Sequence, residues 1–413
     1  MGVVVLVVAA ATATWLAVRP AATPSPPAPV TPTTHPVTRA MLVTGAQARS
    51  LLPGRGWKVL TTSDNTTGTG LSSVCQRTRF ADPRGRGTLV RRLIAAHGPR
   101  RTLVETVEVS RSARASAAAY RTTLGWFAAC GQARVQLLDT YRVAGLRSTA
   151  RLVRLRLPDA AGSDYVVGVA RTGTLTVSVV LEDAGSPRVS VPSAVATLRA
   201  AVYGVCHADP AGRCPAAVRA SPVLPPPSGE TPGTLAATDL PAMGGVRHPW
   251  VGTRPGPARP NLAATTCDRA DFVRSGARGA RQRTFLIPQA QLPRRFGITE
   301  TYGSFGSSRR ASAFVTTIAR AMATCEHRDL GATVSRHAMQ VHGPGGSSYE
   351  LWRLDSEIAP HQSVGFWMGV ARVGGYVAQV NLTPAGPLDV DPATFESLVG
   401  RARDRLFELG GPR

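Results

Sequence analysis

Shifted by 195 residues, the chain matches itself without a gap, Val104–Cys130 falling on Thr299–Cys325. The identities are Glu105/Glu300, Thr106/Thr301, Ser112/Ser307, Arg114/Arg309, Ala118/Ala313, Thr122/Thr317, Ala128/Ala323 and Cys130/Cys325. Further on, Gly168-Val169-Ala170-Arg171 reappears as Gly369-Val370-Ala371-Arg372, each followed by a glycine, Gly173 or Gly374, and alternating apolar residues. That is a hairpin pattern occurring twice. Pro192 and Leu198 return as Pro392 and Leu398. Matched blocks in a preserved order read as a duplication, so the chain is expected to fold as two copies of one unit.

Cysteine placement follows the same plan. Cys75 precedes Cys130 by 55 residues and Cys267 precedes Cys325 by 58. Cys206 and Cys214 remain as a close pair. Six cysteines allow 15 connectivities. Repeat symmetry selects Cys75–Cys130, Cys267–Cys325 and Cys206–Cys214, and full pairing fits an oxidising compartment.

Periodicity places these cysteines. Tyr120, Leu124, Phe127 and Cys130 recur at helical spacing, as do Phe314, Ile318, Met322 and Cys325. Each long bridge therefore starts at the end of a helix, on its buried stripe. Strands are expected at Leu152–Leu157, Tyr165–Ala170 and Leu175–Leu181, and again at Tyr349–Leu354, Phe366–Ala371 and Tyr376–Leu382. Closing helices are expected at Ser193–Tyr203 and Ala393–Phe407. Each copy then reads as a helix, strands, the cysteine helix, strands and a closing helix. The fold class is α+β, an antiparallel sheet packed with helices and stapled by disulfides.

This order of elements, with Cys75, Cys130 and the closing Cys206-x7-Cys214, resembles the PknH-like extracellular sensor domain. Residues 41–214 carry the four-cysteine form; residues 234–413 keep Cys267 and Cys325 and lack the closing pair. The resemblance implies an exported cell-surface module of actinobacterial type, without catalysis, whose cleft takes a ligand. A PsbP-like secreted module and a cell-wall enzyme with an unfamiliar site are the alternatives.

Ahead of the first copy, residues 1–18 are uncharged and include the aliphatic run Val3–Val8. They would span roughly 27 Å as a helix, suiting a signal or membrane-anchor segment. Residues 19–40 are rich in proline and threonine and read as an extended stalk, and 215–233 as a second proline-rich linker. The expected location is extracytoplasmic, anchored or secreted, with the membrane met through the N-terminal segment.

Formal net charge is +23, with Lys58 the only lysine. Residues 41–206 carry 23 bases and 9 acids; residues 234–413 carry 21 and 14. Such an excess draws anionic partners in general. Export, the cystine pattern and the even scatter of arginine argue against nucleic acid, leaving a small-molecule, lipid or wall-polymer ligand of anionic character.

Chemistry-bearing motifs are decoys. His327-Arg328-Asp329-Leu330 opens like a kinase catalytic loop, but Val334 stands where the metal-holding asparagine belongs. Cys325, His327, His337 and His342 suggest zinc, yet Cys325 has its symmetric partner in Cys267. The glycines of Gly343–Gly346 lack a phosphate-binding lysine, and Asp389-Val390-Asp391 precedes a helix as a capping group would. No catalytic residue, metal or cofactor is expected, and no binding residue can be named from the sequence.

Overall fold

Aliphatic residues at alternate positions make strands in both halves, and serine or aspartate starts the helices between them. The first lobe runs α1 (Gly45–Leu51), β1 (Lys58–Ser63), β2 (Gly87–Ile94), β3 (Arg101–Val109), α2 (Ala113–Ala128), β4 (Gln136–Ala144), β5 (Thr149–Leu157), β6 (Ser163–Thr172), β7 (Leu175–Asp183), α3 (Val191–Val205) and β8 (Arg219–Pro222). The second runs β9 (Val251–Gly252), β10 (Gly256–Pro257), β11 (Arg278–Leu286), β12 (Gly297–Ser304), α4 (Ser308–Ala323), α5 (Cys325–Arg328), β13 (Ala332–Gly343), β14 (Ser347–Ala359), β15 (Gln362–Val373), β16 (Tyr376–Thr383) and α6 (Pro392–Leu406). This computed structural model describes residues 37–410, except 132–133, 147–148, 158–161, 185–187, 210, 294, 360–361 and 387. The expected segment 1–18, and the stalk up to residue 36, lie outside the described residues.

Each lobe is built on one antiparallel sheet. Strand order is β1-β2-β3-β7-β6-β5-β4-β8 in the first and β10-β11-β12-β16-β15-β14-β13 in the second, where β9 also pairs with β11. The path from β2 to β4 and the path from β11 to β13 thus run through corresponding strands in the same order. Helices cover both faces. Closing helix α3 packs with α1 over Leu103, Val107, Val177 and Leu181, while α2 covers Val104, Val153, Val167 and Val180. In the second lobe α6 and α4 take the same two faces.

The cysteine helices start alike. Ser112 accepts the Ala115 N–H at 3.2 Å and Ser307 the Arg310 N–H at 3.3 Å, which explains one of the matched pairs in the sequence. Asp391 accepts the Thr394 N–H at 2.9 Å, so it is the helix cap expected of it. The three cystines are Cys75–Cys130, Cys206–Cys214 and Cys267–Cys325, with Cα atoms 4.8, 5.1 and 5.2 Å apart. Each long bridge joins the end of its helix to the loop before β2 or β11. The short one turns the chain after α3, and there Asp209 accepts from the Thr174 N–H and hydroxyl at the β6–β7 turn. Gly173, at φ +55°, lies so close to that carboxylate that a Cβ would stand 2.5 Å from it.

Three expectations need correction. Residues 215–233 are not a free linker: Arg219–Pro222 pair with Tyr141–Ala144 of β4, and Pro225, Pro226 and Ser228 are buried. Proline content concealed this, because an edge strand tolerates proline where no ladder N–H is required. The first lobe also begins before residue 41, since Val37 packs on its core and the Arg39 carbonyl accepts from Arg91. The second lobe opens with a single 3₁₀ turn, Ala237–Asp239, in place of a helix. Leu240-Pro241 follows that turn at once, whereas Leu52-Pro53 follows α1 after a full seven residues, and proline halts a helix.

Candidate functional site

The lobes meet through the segment the sequence marked as linker. Thr238 donates to the Ala128 carbonyl at the end of α2, and Arg401 of α6 donates to the Leu137 and Leu138 carbonyls of β4. Behind them Asp239 holds Arg405 by two hydrogen bonds of 2.8 and 2.9 Å, both residues being buried. Arg405 also donates to the Pro226 carbonyl and to Glu408. Burial alone would lower the Arg405 guanidinium; the Asp239 and Glu408 carboxylates outweigh it and raise its pKa, so it stays charged.

Beside this junction lies an open cleft of about 550 Å3, within the usual size of small-ligand sites. Leu124 of α2, Val223, Leu224 and Pro225–Pro227 of the crossing segment, and Phe407 after α6 make its walls. Three ionisable residues reach it: Arg151, Asp404 and Glu408. Asp404 is bound by Arg403 at 2.8 Å and Glu408 by Arg405 at 2.8 Å. Arg151 donates to the Leu224 carbonyl at 3.2 Å. Such a lining holds no nucleophile beside a base; it can shelter apolar surface and orient a charge. A smaller cavity of about 240 Å3 lies on the same junction, between Cys130, Thr238, Met243 and Trp250.

Groups singled out in the sequence lie elsewhere. Arg328 donates to the carbonyls of Cys267 and Ala321, and Leu330 is 96% exposed, so His327–Leu330 is the end of the short helix α5 and the surface turn after it. Cys325 is consumed by its bridge, and His337 packs on Trp367 with ring centroids 4.9 Å apart. Among the described residues only Cys206, His207 and Cys214 come within metal-ligating reach of one another, and their two sulfurs are already joined. Asp389 accepts from Arg353 and from the Trp367 indole. Gly343–Gly346 form the turn between β13 and β14.

Sequence reasoning missed the groups that fasten each lobe's opening segment. Glu105 of β3 accepts the Val43 N–H at 2.7 Å, while Arg91, directly opposite on β2, donates to the Leu42 and Val43 carbonyls. Glu300 of β12 accepts the Leu235 N–H at 2.9 Å, and Arg283 opposite donates to the Leu235 carbonyl. Burial raises the Glu105 carboxyl to about 7, against the pull of the Val43 N–H and Arg91. It raises Glu300 to about 8, with Asp239 pushing the same way. Trp57 and Trp250 then donate to the carbonyls of Pro53 and Pro241. Two signals were available: the matched Glu105/Glu300, and Leu-Pro ahead of a tryptophan in both halves.

No protein-family model and no curated protein sequence matches the chain.

Proposed function

We propose that this is a non-catalytic, extracytoplasmic ligand-binding protein of the cell envelope, made of two tandem copies of a PknH-like extracellular sensor domain. The duplication is supported by the common strand order, and by the paired clamps Glu105–Arg91 and Glu300–Arg283. Three cystines support an oxidising compartment. Among the described residues no helix is long and apolar enough to cross a membrane; residues 1–18 are the proposed signal or membrane-anchor segment.

One observation carries the binding role: the apolar cleft at the lobe junction, whose carboxylates are both committed to arginines. An enzyme needs convergent acid and base groups with freedom to titrate, and a binding cleft needs shape and one or two orienting charges. The test is native mass spectrometry of the protein purified from its own envelope. A retained small molecule that is displaced by Leu124→Trp, which fills the cleft, is the expected result. A ligand that survives this substitution, or turnover of a cell-wall substrate, would refute the assignment.

A further inference from the structure

The first sheet carries a cluster of positive charge that reaches the junction cleft at Arg151. Arg142 on β4 and Arg151 on β5 stand directly opposite each other. Arg171 on β6 faces Thr149, two residues from Arg151 and on the same side of the sheet. Among the described residues none of the three forms an ion pair, whereas nearby Arg154 and Arg156 bind Asp139 and Asp164. Two like charges opposite each other are destabilising unless something neutralises them.

Tyr120 lies over this cluster from α2, one turn before the cleft residue Leu124. It is 7% exposed, and its hydroxyl is turned to Arg151 without a hydrogen bond of good geometry to any group. A buried hydroxyl held only by a poorly aligned contact is costly and calls for an explanation. Burial raises its pKa to about 12, against the pull of Arg151 and Arg171, so it is a donor at every physiological pH.

The fold does not require these charges. Val169 and Val370 are matched residues, Arg151 is opposite Val169, and Glu350 is opposite Val370. The place of Arg151 is therefore taken by Glu350 in the second lobe, and that of Arg142 by Met339, which is opposite Glu350. By the same 195-residue correspondence Val315 replaces Tyr120. Only the first lobe has donors converging here, and only there do apolar walls continue from them.

We infer that the cleft takes an amphiphile with a single anionic head, the head oxygens accepting from Arg151 and Tyr120 and the alkyl chain running along Leu124, Leu224 and Phe407. The inference rests on reading this cleft as a ligand site, and adds the chemistry of the ligand. Carboxylate and phosphate heads share the needed acceptors. A neutral or cationic head would leave the guanidinium and the hydroxyl unmatched.

The test compares dodecanoate, dodecyl phosphate, dodecyl maltoside and dodecyltrimethylammonium, each below its micellar concentration, by titration calorimetry on the full chain. Both anionic probes should bind at one site at least about tenfold more tightly than the others, as one charge-assisted hydrogen bond would give. Their ratio separates a carboxylate from a phosphate preference. Arg151→Gln should lose about tenfold for the anions alone, and Tyr120→Phe several-fold. Arg142 is exposed, so Arg142→Gln tests the charge without disturbing the packing, and Glu350→Gln should change nothing. Equal affinity for all four heads, or no loss in either arginine variant, overturns the inference while leaving the cleft a binding site. Failure of every probe to bind also overturns it, and the retained-ligand measurement then decides whether the cleft binds something else.

Discussion

The carboxylates of Glu105 and Glu300 occupy the same place in their two sheets. Each lies on the third-from-edge path between a cross-strand arginine and the opening segment of its lobe, and each has one oxygen on a backbone N–H and the other, Oε1, without a partner. Chain ends fray unless tied down. Here the tie is a buried acid whose pKa burial raises to about 7 in Glu105 and about 8 in Glu300.

That geometry fixes a pH dependence. Folded Glu105 and Glu300 titrate at about 7 and about 8, above the ordinary 4.5. The folded chain therefore binds more protons than the unfolded one between those values, and stability falls as pH rises through the window. Glu108 and Glu350 are raised by burial too and act in the same direction. Urea unfolding at pH 5 and pH 8.5 should differ by a few kcal/mol, on the order of one pKa unit per ~1.4 kcal/mol. The double variant Glu105→Gln, Glu300→Gln should flatten most of the slope; an unchanged slope would place the protonation elsewhere.

Removing Asp239 strands Arg405, whose side chain is fully buried. Breaking such a pair from one side costs about 3–5 kcal/mol. Asp239→Ala should cost that much in urea titration and should release Arg401, which stands 3.6 Å from Asp239 while it grips β4. Lobe contact would loosen with it, visible as faster amide exchange in β4. A loss below 1 kcal/mol would mean that water replaces the pair.

Gly369 faces α6 so closely that a Cβ would lie 2.3 Å from a Val399 methyl, and one on Gly168 would lie 2.9 Å from Val179 and 3.1 Å from Leu198 of α3. Overpacking of this sort costs typically ~1–3 kcal/mol. Gly369→Ala should be the more destabilising of the two in thermal melts, because the β-branched Val399 cannot swing aside within a helix. Equal, negligible effects would show that the helix shifts without strain.

The short cystine should matter locally. Closing eight residues contributes about 2.5 kcal/mol in the chain-entropy model, against about 4 kcal/mol for each long bridge. Cys206→Ser with Cys214→Ser should lower stability by about that amount and loosen the hold of Asp209 on Thr174. Non-reducing peptide mapping should recover the three bridges, and reductant should weaken the first lobe more than the second. Equal sensitivity of the two lobes would make the extra bridge incidental.

Much of the architecture was legible because it is written locally. Alternation at Leu175–Leu181 and Tyr376–Leu382 falls inside β7 and β16, and helical spacing of Phe314, Ile318 and Met322 falls inside α4. A strand or helix needs only a short window to declare its period. Cystine pairing was readable because the spacing of Cys75 and Cys130 is nearly that of Cys267 and Cys325. The linker was misread, since composition reports what a segment could do alone and not that β4 had a free edge for Arg219–Pro222.

The sequence by itself therefore determined the elements, their order and the three bridges, all properties of spacing along one chain. The tertiary structure alone decided which charges meet. Arg91 finds Glu105 and Arg405 finds Asp239 because register and helix docking place them together, and hydropathy carries no record of a partner 14 or 166 residues away. The same holds for the cleft. Leu124, Arg151, Leu224 and Phe407 belong to four separate segments, and only the packing of α2, β5, the crossing segment and the turn after α6 brings them to one cleft, where desolvation makes a charge without an acidic partner matter.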